Sequence, residues 1–142
     1  MGGPATVTDT FAVSAQIDPA DIPALKAAGF TAIICNRPDG EDFGQPDHAT
    51  VEAAAQAAGL SYAWVPMSGG LAPGLVEAMD AALLAAGDGK VLAYCRSGRR
   101  SVSLWALAQA WKRGADPAAV IAAAAGAGHD LSGMAALLSD PG

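Results

Sequence analysis

The stretch Lys90-Val91-Leu92-Ala93-Tyr94-Cys95-Arg96-Ser97-Gly98-Arg99-Arg100-Ser101 runs from an apolar strand straight into a cysteine. Val91 to Tyr94 have the length and uniform polarity of a parallel strand buried on both faces. Ser101 opens a helical pattern of Val102, Leu104, Trp105, Leu107, Ala108 and Trp111. Strand, tight loop and helix start together make an anion cradle, because the first N–H groups of a helix have no partner within it and the positive end of the helix dipole adds to them. A cysteine thiol held there beside cations titrates well below its usual value and is nucleophilic at neutral pH. Three of the eight Lys and Arg residues fall in the five positions that follow Cys95. A packed core cysteine, the commoner fate of a lone Cys, needs no such loop behind it.

The surroundings set the frame. At 142 residues the chain is read as a single domain, residues 1–142, with Met1 to Thr10 a flexible lead-in. A net charge of −6 argues against nucleic acid and anionic membranes as partners. The basic loop is thus a local positive site in an acidic protein, suited to a small anion. Two cysteines make no disulfide framework, and the N-terminus has no basic region followed by an apolar core, so a reducing, cytoplasmic setting is expected. No apolar run approaches the roughly 20 residues of a membrane span, and no metal or organic cofactor is implied.

In chain order, Phe11 to Gln16 reads as a strand, and Asp18-Pro19 starts a helix with Ile22, Leu25 and Ala28 on its buried stripe, ending at Gly29. Thr31 to Cys35 is a second strand that opens into the polar turn Asn36-Arg37-Pro38-Asp39-Gly40-Glu41-Asp42. A helix over 47–58, a strand over 61–67, a helix from Leu75 to Ala86 and the strand ending at Cys95 follow. The tail adds a helix capped by Asp116 and another over 131–139. Such alternation predicts an α/β fold, a three-layer α/β/α sandwich on a parallel sheet whose ligands bind at the carboxyl ends of the strands. His48 and His129 read as solvated turn residues.

The loop from Cys95 to Ser101 resembles the active-site loop of single-domain rhodaneses, which are sulfurtransferases. The rest of the chain is similar to a different group. Val13-Ser14-Ala15-Gln16, Ala27-Ala28-Gly29-Phe30, Asn36 to Glu41, Gln45-Pro46, Val65-Pro66 and Ser68-Gly69-Gly70 look like the phosphatase-like domain family of beta-lactamase hydrolase-like proteins, over roughly 10–112. That resemblance implies a protein tyrosine phosphatase-like fold with four parallel strands in the order 1-4-2-3.

Two departures from the phosphatase pattern bear on the chemistry. Cysteine phosphatases place five residues between nucleophile and arginine, whereas four separate Cys95 from Arg100. Where those enzymes carry a leaving-group acid, a contribution of about 10²–10⁴-fold, this chain reads Met67-Ser68-Gly69-Gly70. Both departures favour sulfur transfer through a Cys95 persulfide, in which no alkoxide leaves. Cys95 and Arg100 are the expected catalytic residues, and Arg96, Ser97, Gly98, Arg99 and Ser101 the expected anion binders, with Arg99 an alternative to Arg100 for gripping a donor. Arg37 is a candidate to face the anion, or else a surface cation. Asp39 is a candidate acid or orienting group, or else a turn cap, and Glu41 and Asp42 are further candidate acids. The expected substrates are a thiosulfate-like donor and a thiol or other sulfur acceptor. Phosphate-ester hydrolysis is the alternative, and a non-catalytic anion or persulfide sensor a third. Under the implied strand order Cys35 and Cys95 end neighbouring strands about 4.8 Å apart, within the roughly 4.4–6.8 Å Cα window of disulfides. Cys35 is therefore a candidate redox partner of Cys95, or else a small core hydrophobe.

Overall fold

The computed structural model describes residues 3–139. Five strands form one sheet: β1 (Ala5–Thr8), β2 (Phe11–Ser14), β3 (Phe30–Cys35), β4 (Ser61–Trp64) and β5 (Lys90–Tyr94). Six helices accompany them: α1 (Ile22–Ala27), α2 (His48–Ala57), α3 (Leu75–Ala85), α4 (Arg99–Arg113), α5 (Pro117–Gly126) and α6 (Ala135–Ser139). The spatial order is β1-β2-β5-β3-β4. The four parallel strands follow the expected order, and a fifth strand lies antiparallel on the edge, Ala5 opposite Val13. The lead-in expected before residue 10 is therefore partly a strand. Its signal is weak because only Val7 points into the core, and four residues with one buried side chain carry almost no pattern.

β5 is central, with β2 and β3 parallel on either side. Both of its faces are covered, which is why its sequence is apolar throughout. Val91 and Ala93 join the larger core under α3, α4 and α5, whereas Leu92 and Tyr94 join a second core with Ile22, Leu25, Val51 and Ala55 from α1 and α2. A side-chain period of two splits one strand between two cores.

α1 begins with a 3₁₀ turn, Pro19–Asp21, closed by a capping box. Asp18 Oδ1 accepts from the Ala20 N–H at 3.0 Å, and Asp21 Oδ2 accepts from the Asp18 N–H at 2.8 Å. Pro23 sits in the first turn, where a missing N–H costs little. β4 stops at Trp64 rather than 67, before Val65-Pro66. The chain nevertheless stays tied to the end of β3, the Val65 N–H donating to Cys35 O and the Met67 N–H to Asn36 O. The tail expected as one helix over 131–139 divides into a 3₁₀ turn, Ser132–Met134, and α6. No helix among the described residues is long and apolar enough to cross a membrane.

Candidate active site

The site is assembled at the carboxyl end of the sheet by three loops: the one after β2, the one after β3 and the one between β5 and α4. Cys95 leaves β5 with its N–H donating to Ser14 O at 3.3 Å, and it is completely buried. The chain reverses at Gly98, whose φ of +95° lies in the left-handed region that glycine adopts without strain. This turn aims the Gly98 N–H at Cys95 Sγ, 3.1 Å away. Burial pushes the thiol up, but the amides of Ser101, Ser97 and Gly98 and the Ser101 hydroxyl outweigh it, so the pKa falls below the ordinary cysteine value. Ser101 Oγ is itself fully buried and meets no partner at ordinary hydrogen-bond geometry. It lies close enough to act on the sulfur once that atom is charged.

α4 carries Arg99 and Arg100 in its first turn and no acidic residue there. Cations at that end oppose the helix dipole, so the helix start is arranged for the site at the expense of the helix. The two arginines diverge. Arg99 Nη1 donates to Asp130 O at 2.7 Å, drawing that side chain toward the segment before α6. The Arg100 pKa is raised, first by its bond to Glu41 and to a lesser extent by Cys95. Its guanidinium meets Glu41 in a two-pronged pair, Nη1 to Oε2 at 2.9 Å and Nη2 to Oε1 at 2.7 Å, while Nη1 also donates to Met67 O at 2.8 Å. Of the two arginines the sequence left open, Arg99 is thus turned to Asp130 O, while Arg100 is held by Glu41 and Met67 and is the one whose charge Cys95 influences.

Arg37 does not face the anion site. It is 3% exposed and fully engaged: Nε donates to Glu41 Oε1 at 2.9 Å, Nη1 to Gln16 Oε1 at 3.0 Å and Nη2 to Asp42 Oδ2 at 2.7 Å. A buried guanidinium must be paired, and the residue acts as a strut between the loops after β2 and β3. Asp42 also lies 3.2 Å from Arg96 Nε, and Arg96 is 69% exposed. Glu41 therefore bridges Arg37 and Arg100, and together they hold its carboxyl at about 2, despite an opposing desolvation effect.

Asp39 does not orient a loop arginine either. Oδ1 accepts from the His48 N–H and Oδ2 meets His48 Nδ1, both at 2.8 Å, and the imidazole stacks on Trp64 with centroids 3.5 Å apart. His48 is a packed residue at the start of α2 and not a solvated one. The orienting carboxylate is Glu41, which the sequence offered only as an acid. Gln16 falls in the family-like stretch Val13 to Gln16, but a lone glutamine after a strand gives no sign that it pairs with a buried arginine.

Cys35 and Cys95 are not brought together. The partner of Cys35 across the sheet is Tyr94, one residue short of Cys95, and one residue of register puts neighbouring side chains on opposite faces. Cys35 lies in the α1–α2 core near the hydrogen-bonded hydroxyls of Tyr62 and Tyr94, and its Sγ donates to Arg37 O at 3.4 Å. Cys95 lies under the start of α4. Burial pushes the Cys35 thiol up, leaving it an unreactive core residue, and both cysteines are free.

Similarity to known proteins covers the same region. Residues 5–112 match the family model described as "Beta-lactamase hydrolase-like protein, phosphatase-like domain". A beta-lactamase hydrolase-like protein of Agrobacterium fabrum is 38% identical over 107 residues, and one of Xylella fastidiosa 35% over 104 residues. These alignments take in 73% and 72% of this chain but 24% of each relative, so the chain spans about a quarter of their length. Among solved structures, a Neisseria meningitidis protein provisionally named a phosphatase superposes with a TM-score of 0.81 at 29% identity, covering 97% of both chains. Tk-PTP superposes with a TM-score of 0.68 at 17% identity, over 95% of this chain and 92% of that one, a likeness of fold alone.

Proposed function

The chain belongs to the phosphatase-like domain family of beta-lactamase hydrolase-like proteins, and on that premise we propose that it is a cysteine-nucleophile enzyme that transfers sulfane sulfur through Cys95. The observation carrying this reading is that, beside an activated thiolate, two of the carboxylates that could protonate a leaving oxygen, Glu41 and Asp39, are already committed to other partners. Glu41 is held at about 2 by Arg100 and Arg37, and Asp39 is bound to His48. The segment after β4 supplies only Ser68, Gly69 and Gly70. A phosphate monoester of an alcohol needs its leaving oxygen protonated. A thiosulfate-type donor does not, because sulfite departs as a stable anion.

In the first step the Cys95 thiolate attacks the outer sulfur of the donor. A new S–S bond forms, the donor S–S bond breaks, and its electron pair leaves with sulfite. Amides from the Cys95–Ser101 loop stabilise the charged sulfur throughout, and Arg100 offers a fixed cation to the donor's oxygens. In the second step an acceptor thiolate attacks the outer persulfide sulfur, taking it and returning Cys95 as thiolate. No net redox change is needed. The setting that suits this chemistry is a reducing one, in keeping with two free cysteines, and the partners are a small anionic donor and a thiol or cyanide acceptor.

Hydrolysis of phosphate esters is the second reading, favoured by the family and by the fold neighbours. Asp42, half exposed beside Arg96, is the carboxylate it would require as acid. Parallel assays of thiosulfate–cyanide sulfur transfer and aryl phosphate hydrolysis, each with Cys95→Ser as control, separate the two. Sulfur transfer lost with Cys95, and one added sulfur in the intact mass after thiosulfate, support the first. Cys95-dependent phosphate release without sulfur transfer refutes it.

A further inference from the structure

We infer that His129, from the segment between α5 and α6, is a positioning residue of the Cys95 site: it wedges the Gly98 turn so that the Gly98 amide stays on the sulfur. His129 lies beyond residues 5–112, the span of the family match. Its imidazole nonetheless reaches the catalytic loop. A Cβ placed on Gly98 would lie 3.2 Å from His129 Nε2 and 3.5 Å from the carbonyl carbon and oxygen of Ser14. The imidazole and the end of β2 therefore both border the side of Gly98 that a side chain would occupy, and the turn has little room to shift that way. The Gly98 N–H is the one that reaches Cys95 Sγ at 3.1 Å.

The wedge is itself fixed. The His129 N–H donates to Ala124 O at 3.0 Å, Leu131 is completely buried, and the Ser132 N–H closes onto Asp130 Oδ1 at 2.9 Å. The next residue in the loop is held by the same segment, since Arg99 Nη1 donates to Asp130 O. Two consecutive loop residues, Gly98 and Arg99, thus meet two consecutive tail residues, His129 and Asp130. The charged groups around the imidazole are Arg99 on α4 and Asp130 on its own segment. Beneath the loop lie Cys95, Arg100 and Glu41. Burial and Arg99 both depress the His129 pKa, which keeps the ring a neutral wedge.

The inference rests on Cys95 being the activated thiol of the proposed function but not on which group it transfers, and its test needs no turnover. In a Cys35→Ala background, the rate of Cys95 alkylation by iodoacetamide is followed against pH with site-resolved mass spectrometry. Weakening one amide bond to a thiolate raises the apparent thiol pKa by ~0.5–1 unit in His129→Ala. His129→Gln, which refills the space with a group of similar reach and no titration, recovers at least half of that shift. Trp111→Phe, which removes the Trp111 Nε1 bond to Leu137 O on the far part of the same tail, leaves the midpoint in place. An unchanged midpoint in His129→Ala, no recovery in His129→Gln, or an equal shift in Trp111→Phe each overturns the inference. An ordinary midpoint in the unaltered protein instead counts against the activated thiol itself, so the two failures are told apart.

Discussion

Replacing Glu41 with glutamine keeps the size of the side chain and removes the charge that joins Arg37 to Arg100. Those two arginines lower the carboxyl from about 4.5 to about 2. At about 1.36 kcal/mol per unit, a shift of that size corresponds to ~3.4 kcal/mol. The side chain is 29% exposed, and solvent screening reduces the figure to ~1.5–2.5 kcal/mol. The sign follows from the direction: a carboxyl depressed in the folded state contributes its full stability above its unfolded value near 4.5 and loses it as pH falls toward 2. For a chain of this length ~3 °C of Tm accompanies each kcal/mol, so Glu41→Gln lowers Tm by ~5–8 °C at neutral pH. At about pH 3 the gap shrinks to less than half, because the unaltered protein has by then lost most of the same contribution. Thermal melts by circular dichroism at the two pH values read both numbers. Equal losses at neutral and acid pH, or no loss at neutral pH, refute the assignment of Glu41 as the charged bridge.

Ser101→Ala removes a fully buried hydroxyl that acts on the thiolate. Cys95 alkylation at neutral pH slows by ~3–10-fold, an effect of one weakened charge-assisted bond, and its pH midpoint moves up toward the ordinary thiol value. Gly98→Ala forces a side chain into the left-handed region and against His129, costing ~1–2 kcal/mol or more by chemical denaturation and slowing alkylation as well. Mild peroxide followed by peptide mapping yields no Cys35–Cys95 crosslink, since the register places the two sulfurs on opposite faces. Recovery of that crosslinked peptide from folded protein refutes the register argument.

What was legible in the residues was local. An apolar strand ending in Cys95, a loop with one glycine, and a helix of periodic apolar residues can be read from neighbours alone. Periodicity and capping likewise predicted the bodies of α2 and α3, because those signals act over a few residues. The strand order came with the family resemblance, since crossovers between parallel strands leave no periodic trace, and β1 escaped because one buried valine makes no pattern.

Charge partners and facing were decided only by the fold. Arg37 read as an anion-facing residue or a surface cation, and Glu41 as a candidate acid, and their pairing exists only because the loops after β2, β3 and β5 converge on one edge of the sheet. There, burial compels the guanidinium of Arg37 to find Glu41, Asp42 and Gln16. The strand order implied by the resemblance, with the spacing of neighbouring strands, put Cys35 next to Cys95, but one residue of register turns it into the other core. His129 lies 34 positions after Cys95 and reaches the same loop because α4 and α5 fold back across the sheet. Sequence by itself determined that Cys95 sits in an anion-stabilising loop, since the glycine turn and helix start are built from consecutive residues. Tertiary structure decided which arginine's charge Cys95 influences and which carboxylate holds that arginine, because those contacts join loops that are distant along the chain and exist only once the sheet aligns their ends.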